Sequence, residues 1–241
     1  MSITKIKIVI LGNLRHELDL KKLKKFKSKL FIIDQIETLD NLPRPTNDYG
    51  TYDIVYSRDE TEDIMKNIKY SDIVLGIMNY RFDDNFYLHR TGQNCACLSI
   101  ADIDHLLFIN NISIENFILK NIYEIILIKM ALKDISNDDV YSIVHRDTRG
   151  CLFDMNGYKY DVIYNTENPV ICDSCKAFFG MKALPEKYIH KLERELKKIR
   201  KPRLLKFELF IKKYPLASIL FTILISILIN IISNIFWVLL I

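Results

Sequence analysis

Residues 145–155 read "HRDTRGCLFDM", and residues 170–179 read "VICDSCKAFF". The first stretch carries His145 and, six positions on, Cys151; the second carries Cys172 and Cys175 as a Cys-x-x-Cys pair ahead of a predicted helix. That pair spacing lets two thiolates grip one Zn²⁺, and His145 and Cys151 supply two more donors. Together they form a Cys3His set suited to a single structural zinc. A redox dithiol is disfavoured, because such a pair usually opens a helix directly after a core strand, and here it follows a Pro-containing loop. The plain alternative is four unrelated residues, with Cys151 buried as a small hydrophobe. The surrounding segment, 136–182, is rich in Asp, Asn, Gly and Pro and shows only isolated strand-like fragments. A segment with so little core of its own is where a metal staple is most useful.

Upstream, the texture changes. "KIKIVILG" (5–12), "LFIIDQIE", "YDIVYS" (52–57), "DIVLGIMN" and "NCACLSI" read as strands, short apolar runs closed by turn residues. "HELDLKKLKKFKSKL" has apolar residues at helical spacing, and "RDETEDIMKNIKY" (58–70) is a helix with acids in its first turn. "ADIDHLLFINN" and "SIENFILKNIYEIILIKMALK" give two more helices, with Ser113 and Asn116 where a cap belongs. The alternation predicts a compact α/β domain over 1–135. Cys95 and Cys97, two apart on a strand, are expected to face one side and pack in the core.

Downstream, 183–213 forms a basic amphipathic stretch, opened by Pro185 and interrupted by Pro202. From Glu186 to Lys213 it holds eleven Lys and Arg against four Glu, although the whole chain carries only +4. The last 26 residues, "LASILFTILISILINIISNIFWVLLI", contain no charge, and eighteen of them are Leu, Ile, Phe or Val. Such a run is long enough to cross a bilayer. Segment 214–241 is therefore expected to be a single transmembrane helix, a C-terminal anchor. The Lys/Arg-rich flank places the preceding part in the cytoplasm. "MSITKIKIVILG" has too short an apolar stretch and no small-residue cleavage site for a signal peptide. Five cysteines, an odd number, fit a reducing compartment. Membrane lipids are the expected partner of the basic run, and nucleic acid is disfavoured because headgroups lie closer. Within the span, Thr222, Ser226, Asn230 and Asn234, with Ser233 beside them, fall on one helical face. Ser and Asn in hydrocarbon are interhelical glue, so the stripe predicts a homo-oligomer formed through the anchor. The alternative is a monomer whose polar side chains bond to their own backbone.

Taken together, "DIVLGIMNYRFDDNFYLHR", "QNCACLSIADI", "SIENFILKNIYEIILIKMAL", "HRDTRGCLFDM" and "VICDSCKAFF" resemble, in this order, the archaemetzincins, metallopeptidase-like proteins of the zincin class. The resemblance spans roughly 70–179. It implies a zincin-like mixed sheet with helices and a Cys-rich zinc lobe, "QNCACLSIADI" as the edge strand beside bound peptide, and the helix as the place of the catalytic zinc. That family carries His-Glu-x-x-His there, two imidazoles one turn apart with a Glu as general base. Here the matching stretch reads "YEIIL", so Glu124 survives while Tyr123 and Leu127 replace both histidines. His145 matches the family's third histidine, and the cysteine that should follow it is Arg146. The structural zinc would keep Cys151, Cys172 and Cys175 and take His145 as its fourth ligand.

These departures predict a membrane-tethered, non-catalytic, archaemetzincin-like protein with one structural zinc, acting in binding or sensing on a ligand or protein partner that the sequence does not name. A soluble sensor joined to a membrane helix is also the layout of small bacterial defence effectors, a parallel of architecture alone. The alternative is an active membrane-anchored zinc peptidase or hydrolase with an atypical set, Glu124 and His145 with His89 or His105. A working zinc site needs three ligands and an open position. His16 and His190 sit in charged helical segments and carry no signal.

Overall fold

A computed structural model describes residues 3–46, 54–68 and 72–240, with side chains throughout these except at positions 203, 205, 206, 209 and 238–240. Tyr52 and Asp53 of one expected strand, Lys69 and Tyr70 of one expected helix, and Ile241 of the expected span lie outside the described residues. The chain forms two units, Met1–Arg200 and Lys201–Ile241.

The first unit is built on a five-stranded sheet. Its strands are β1 (Thr4–Leu11), β2 (Phe31–Leu39), β4 (Ile73–Met78), β6 (Leu88–Gly92) and β7 (Cys95–Ser99), in the spatial order β2-β1-β4-β7-β6. β1 runs parallel to β2 and β4, and β4 runs parallel to β7; β6 is antiparallel to β7. Short β3 (Val55–Tyr56) and β5 (Arg81–Phe82) form a separate parallel pair. The fold is therefore mixed α/β with a mostly parallel sheet, as expected. The free edge differs from expectation. "QNCACLSIADI" holds β7, which is paired on both sides, and the edge is β6. β6 escapes notice in the sequence because "LHRTG" is short and polar, although His89 and Thr91 are buried.

Alternation along the strands sorts the core into two faces. Ile6, Ile8 and Ile10 of β1, Ile73, Leu75 and Ile77 of β4, and Ala96 and Leu98 of β7 join the large cluster. Val9, Leu11, Val74, Met78 and Cys97 join the smaller one, with Cys95 packed against it. Cys95 and Cys97 thus share the face expected of them. The smaller cluster is covered by α2 (Arg58–Lys66) through Ile64 and Met65. Ser57 and Glu60 close a reciprocal capping box at its start. Gly76 belongs to this face; a Cβ there would sit 2.7 Å from Met65 Sδ and 2.8 Å from Leu11 Cδ1.

The larger cluster is covered by α1 (Leu20–Lys24), α3 (Ile103–Ile109) and the 19-residue α4 (Ile114–Leu132). α4 is buried almost all round, which marks a helix enclosed by the fold rather than lying on it. The expected long helix over "HELDLKKLKKFKSKL" is only α1, one and a half turns. Lys21, Lys24 and Lys25 stand at like-charge spacings that oppose its extension. The chain then turns at Ser28, whose hydroxyl is held by Glu195.

Segment 136–182 is not strand-like. It holds two 3-10 turns, α5 (Val162–Glu167) and α6 (Asp173–Met181), tied by single bridges between His145 and Asp154 and between Cys151 and Val170. Its Leu152, Phe153, Ile171 and Phe179 join the same large cluster as the sheet. α7 (Glu186–Leu196) completes the unit by burying Tyr188, Ile189, Leu192 and Leu196.

The second unit contains α8 (Arg203–Lys213) and α9 (Pro215–Leu240). α9 is 26 residues long, and its stretch Pro215–Trp237 is long and apolar enough to cross a membrane by length and composition.

Candidate functional site

The four residues singled out around the two quoted stretches converge. Cys172 is the N-cap of α6, and Cys175 sits one turn on, so both sulfurs emerge on one face. Cys151 is brought to them by the loop 149–154. Leu152 N–H donates to the Val170 carbonyl (2.9 Å), Val170 N–H donates to the Gly150 carbonyl (3.1 Å), and Gly150 takes φ +74. Asp154 Oδ2 accepts the Arg149 and Cys151 amides at 2.8 and 3.0 Å and fastens the loop from inside. His145 Nε2 lies 3.0 Å from Cys172 Sγ and 3.1 Å from Cys175 Sγ, and Cys151 Sγ lies 3.8 Å from Cys175 Sγ. All four donor atoms fall within 4.8 Å of one another. Among the described residues this is the one group of three or more His, Cys, Asp or Glu side chains able to hold a metal ion.

The donor set passes a test of fit. Three soft sulfurs and an imidazole are zinc ligands by type, and a tetrahedron with Zn–S bonds of ~2.3 Å has S···S edges of ~3.8 Å. The Cys151–Cys175 separation is such an edge. The thiols are also electrostatically tied. The hydrogen bond between Cys151 and Cys175 splits the pair, holding the Cys151 thiol below and the Cys175 thiol above the ordinary value, since one proton serves both sulfurs. A dication at this point takes over the role of that proton.

Glu124 lies elsewhere, in a cleft of about 320 Å³ whose walls include Arg58, His89, Arg90, Tyr141 and Met155. Its carboxylate is 7% exposed and sits between two cations: Lys120 Nζ at 3.5 Å and Arg90 at 3.6 Å. Lys120 is wholly buried, with Nζ 5.4 Å over the Tyr87 ring and 5.8 Å over the Phe117 ring. Burial opposes its charge, but the oxygens of Tyr87 and Glu124 outweigh burial and hold the ammonium above the ordinary lysine value. Of "YEIIL", only Glu124 is in the wall of this cleft. Tyr123 points away from the cleft and donates its hydroxyl to Glu195 Oε2 at 2.9 Å, and Leu127 is packed in the core. The residue one turn from Glu124 on the cleft side is Lys120. Its signal in the sequence is a Lys–Glu pair at i and i+4 within an otherwise apolar helix.

The remaining histidines separate. His89 shares the cleft with Glu124; its Nε2 is 3.0 Å from Asp84 and its Nδ1 3.2 Å from Thr61 Oγ1, with the ring stacked on Phe82 at 3.8 Å. Burial pulls its pKa below the usual value, partly offset by Asp84. His105 is exposed on α3, and His145 faces the thiols. His16 stacks on Phe108, and His190 pairs with Glu186 and Glu193. In α9, the Thr222 and Ser226 hydroxyls donate to the carbonyls of Ser218 and Thr222, each at 2.9 Å. Asn230 and Asn234 are exposed in the same helix.

Among solved structures the chain is similar to the crystal structure of archaemetzincin from Methanopyrus kandleri, at 16% identity, covering 75% of this chain and 96% of that one with a TM-score of 0.46. No protein-family model and no curated protein matches the chain. The resemblance is remote and is one of fold.

Proposed function

We propose that the chain is a membrane-anchored, non-catalytic binding or sensing protein in which one zinc on His145, Cys151, Cys172 and Cys175 cross-links the lobe 136–182. The observation that carries this reading is the position of His145, whose Nε2 is turned onto two thiols rather than toward Glu124. A bound zinc supplies cross-linking there, tying residues 145, 151, 172 and 175 together in a segment of short elements. Glu124 supports the same reading. Its carboxylate is engaged by Lys120 at 3.5 Å and Arg90 at 3.6 Å, an ion-pair arrangement rather than the free position a general base needs beside its substrate. The anchor rests on the composition of α9, and the cytoplasmic side on the Lys/Arg-rich segment before it.

Metal analysis of the purified chain tests the proposal. One zinc per chain, lost together with folding in Cys172→Ser, is the expected result. Two zincs per chain, or peptide cleavage abolished by Glu124→Gln, would overturn it in favour of the hydrolase.

A further inference from the structure

Segments 27–29 and 187–198 are far apart in the chain and adjacent in the fold. α7 turns Tyr188, Ile189, Leu192 and Leu196 inward, which leaves Lys187, Lys191, Arg194 and Lys198 along its outer side. The turn before β2 is clipped to this helix from two directions. From inside, the buried Glu195 carboxylate accepts the Ser28 hydroxyl and, at 2.6 Å, the Lys29 amide. From outside, Lys191 Nζ donates to the Lys29 carbonyl at 2.7 Å and Lys198 Nζ to the Lys27 carbonyl at 3.1 Å. Between them runs a groove of about 520 Å³ walled by Lys29, Lys187, Lys191, Arg194 and Lys198, with His190 at its side.

The charge in this groove is only partly neutralised. Glu195 is the one carboxylate in its wall; it is buried, pairs with Lys198 Nζ at 3.8 Å, and accepts from Ser28, the Lys29 N–H and the Tyr123 hydroxyl. Among the described residues no carboxylate pairs with Lys29, Lys187 or Arg194. A lysine-rich run on a mobile chain spreads its charges into solvent. Here two ammonium groups, those of Lys191 and Lys198, are tied to the turn by hydrogen bonds, and the packed helix and turn set the backbone spacing of Lys29, Lys187 and Arg194 around the same concavity, which favours an anion.

We infer that this groove binds the phosphate of an anionic phospholipid headgroup. The choice of lipid rests on the anchored reading proposed above. On that reading only segment 201–214 separates the unit from α9 in the chain, and lipid headgroups are the phosphate-bearing anions abundant within reach of such a tether. The basic stripe on α7 is also short, about 17 Å from residue 187 to residue 198, half of one turn of duplex DNA. The lysine stems that line the groove suit a headgroup with apolar atoms next to its phosphate.

The test is amine acylation of the full chain, reconstituted in nanodiscs of phosphatidylcholine alone or mixed with phosphatidylglycerol. Anionic lipid is expected to slow acylation of Lys29, Lys187 and Lys191 by about fivefold while leaving Lys21 and Lys25 unchanged. In Lys29→Glu with Arg194→Glu, two exposed positions, the protection at Lys187 and Lys191 disappears. Equal rates in the two lipids, or equal slowing at Lys21 and Lys25, overturns the site. So does stronger protection by a short DNA at the same phosphate concentration in neutral discs. A chain that does not enter the discs overturns the anchor alone; anionic vesicles added to that free chain then decide the groove by the same labelling.

Discussion

The buried charge cluster under the cleft makes a demanding prediction. Glu124→Leu removes the carboxylate that faces Lys120, which is 0% exposed, and Arg90, whose side chain is 12% exposed. The Glu124 carboxylate 3.5 Å from Lys120 Nζ, the Tyr87 oxygen and the rings of Tyr87 and Phe117 compensate Lys120 for its burial. Breaking such a pair from one side leaves an uncompensated buried charge and costs about 3–5 kcal/mol. In a unit of this size that lowers the melting temperature by about 6–20 °C. Lys120 is held above 10.5 in the fold, so its stabilisation is full at neutral pH and is lost only as pH rises past its folded value. Thermal unfolding at pH 7 of residues 1–200, which enclose this whole core, reads the effect. Adding Lys120→Met to Glu124→Leu removes both charges and should bring stability back to within ~1.5 kcal/mol of the parent. A loss below ~1 kcal/mol for Glu124→Leu, or no recovery in the double variant, would refute the claim that these charges hold one another in place.

Other tests are independent of that cluster. His89 is held below its ordinary 6.5 in the fold, so its contribution is full above that value and is lost as pH falls; urea midpoints measured at falling pH should drop less in His89→Gln than in the parent. Ser57→Ala opens the capping box of α2 and should cost about 1 kcal/mol in the same assay. Gly76→Ala pushes a methyl onto Met65 and Leu11 and should cost about 1–3 kcal/mol. In detergent, Asn230→Leu with Asn234→Leu should shift the chain to lower oligomers, and an unchanged distribution on sedimentation removes the polar stripe as an association surface.

The parts of this fold legible in the sequence are those whose local signals agree with their tertiary role. β1 and β4 are uninterrupted apolar runs, and α2 announces itself with Ser57 and Glu60. The quartet His145, Cys151, Cys172 and Cys175 was readable because thiols and imidazole are rare and their spacing is informative. What escaped was decided by partners distant in the chain. β6 is a strand because β7 offers it a ladder, and nothing in "LHRTG" demands one. The direction of Tyr123 is fixed by Glu195, 72 residues away, and no local pattern distinguishes it from the cleft-facing side of α4. Lys120 is enclosed by the rings of Tyr87 and Phe117, and the first of these reaches it only through the fold.

The clip between Glu195 and the Ser28 turn also has a mechanical meaning. Residues 28 and 195 are 167 positions apart, yet they are bonded, and α7 is the last packed helix before the chain leaves the unit at Arg200. Any tension applied through the C-terminal segment therefore enters the fold at α7 and passes across the Glu195 bonds into β2, a parallel partner of β1. Under pull, α7 should peel away first, taking the basic groove apart and exposing the Tyr123 hydroxyl.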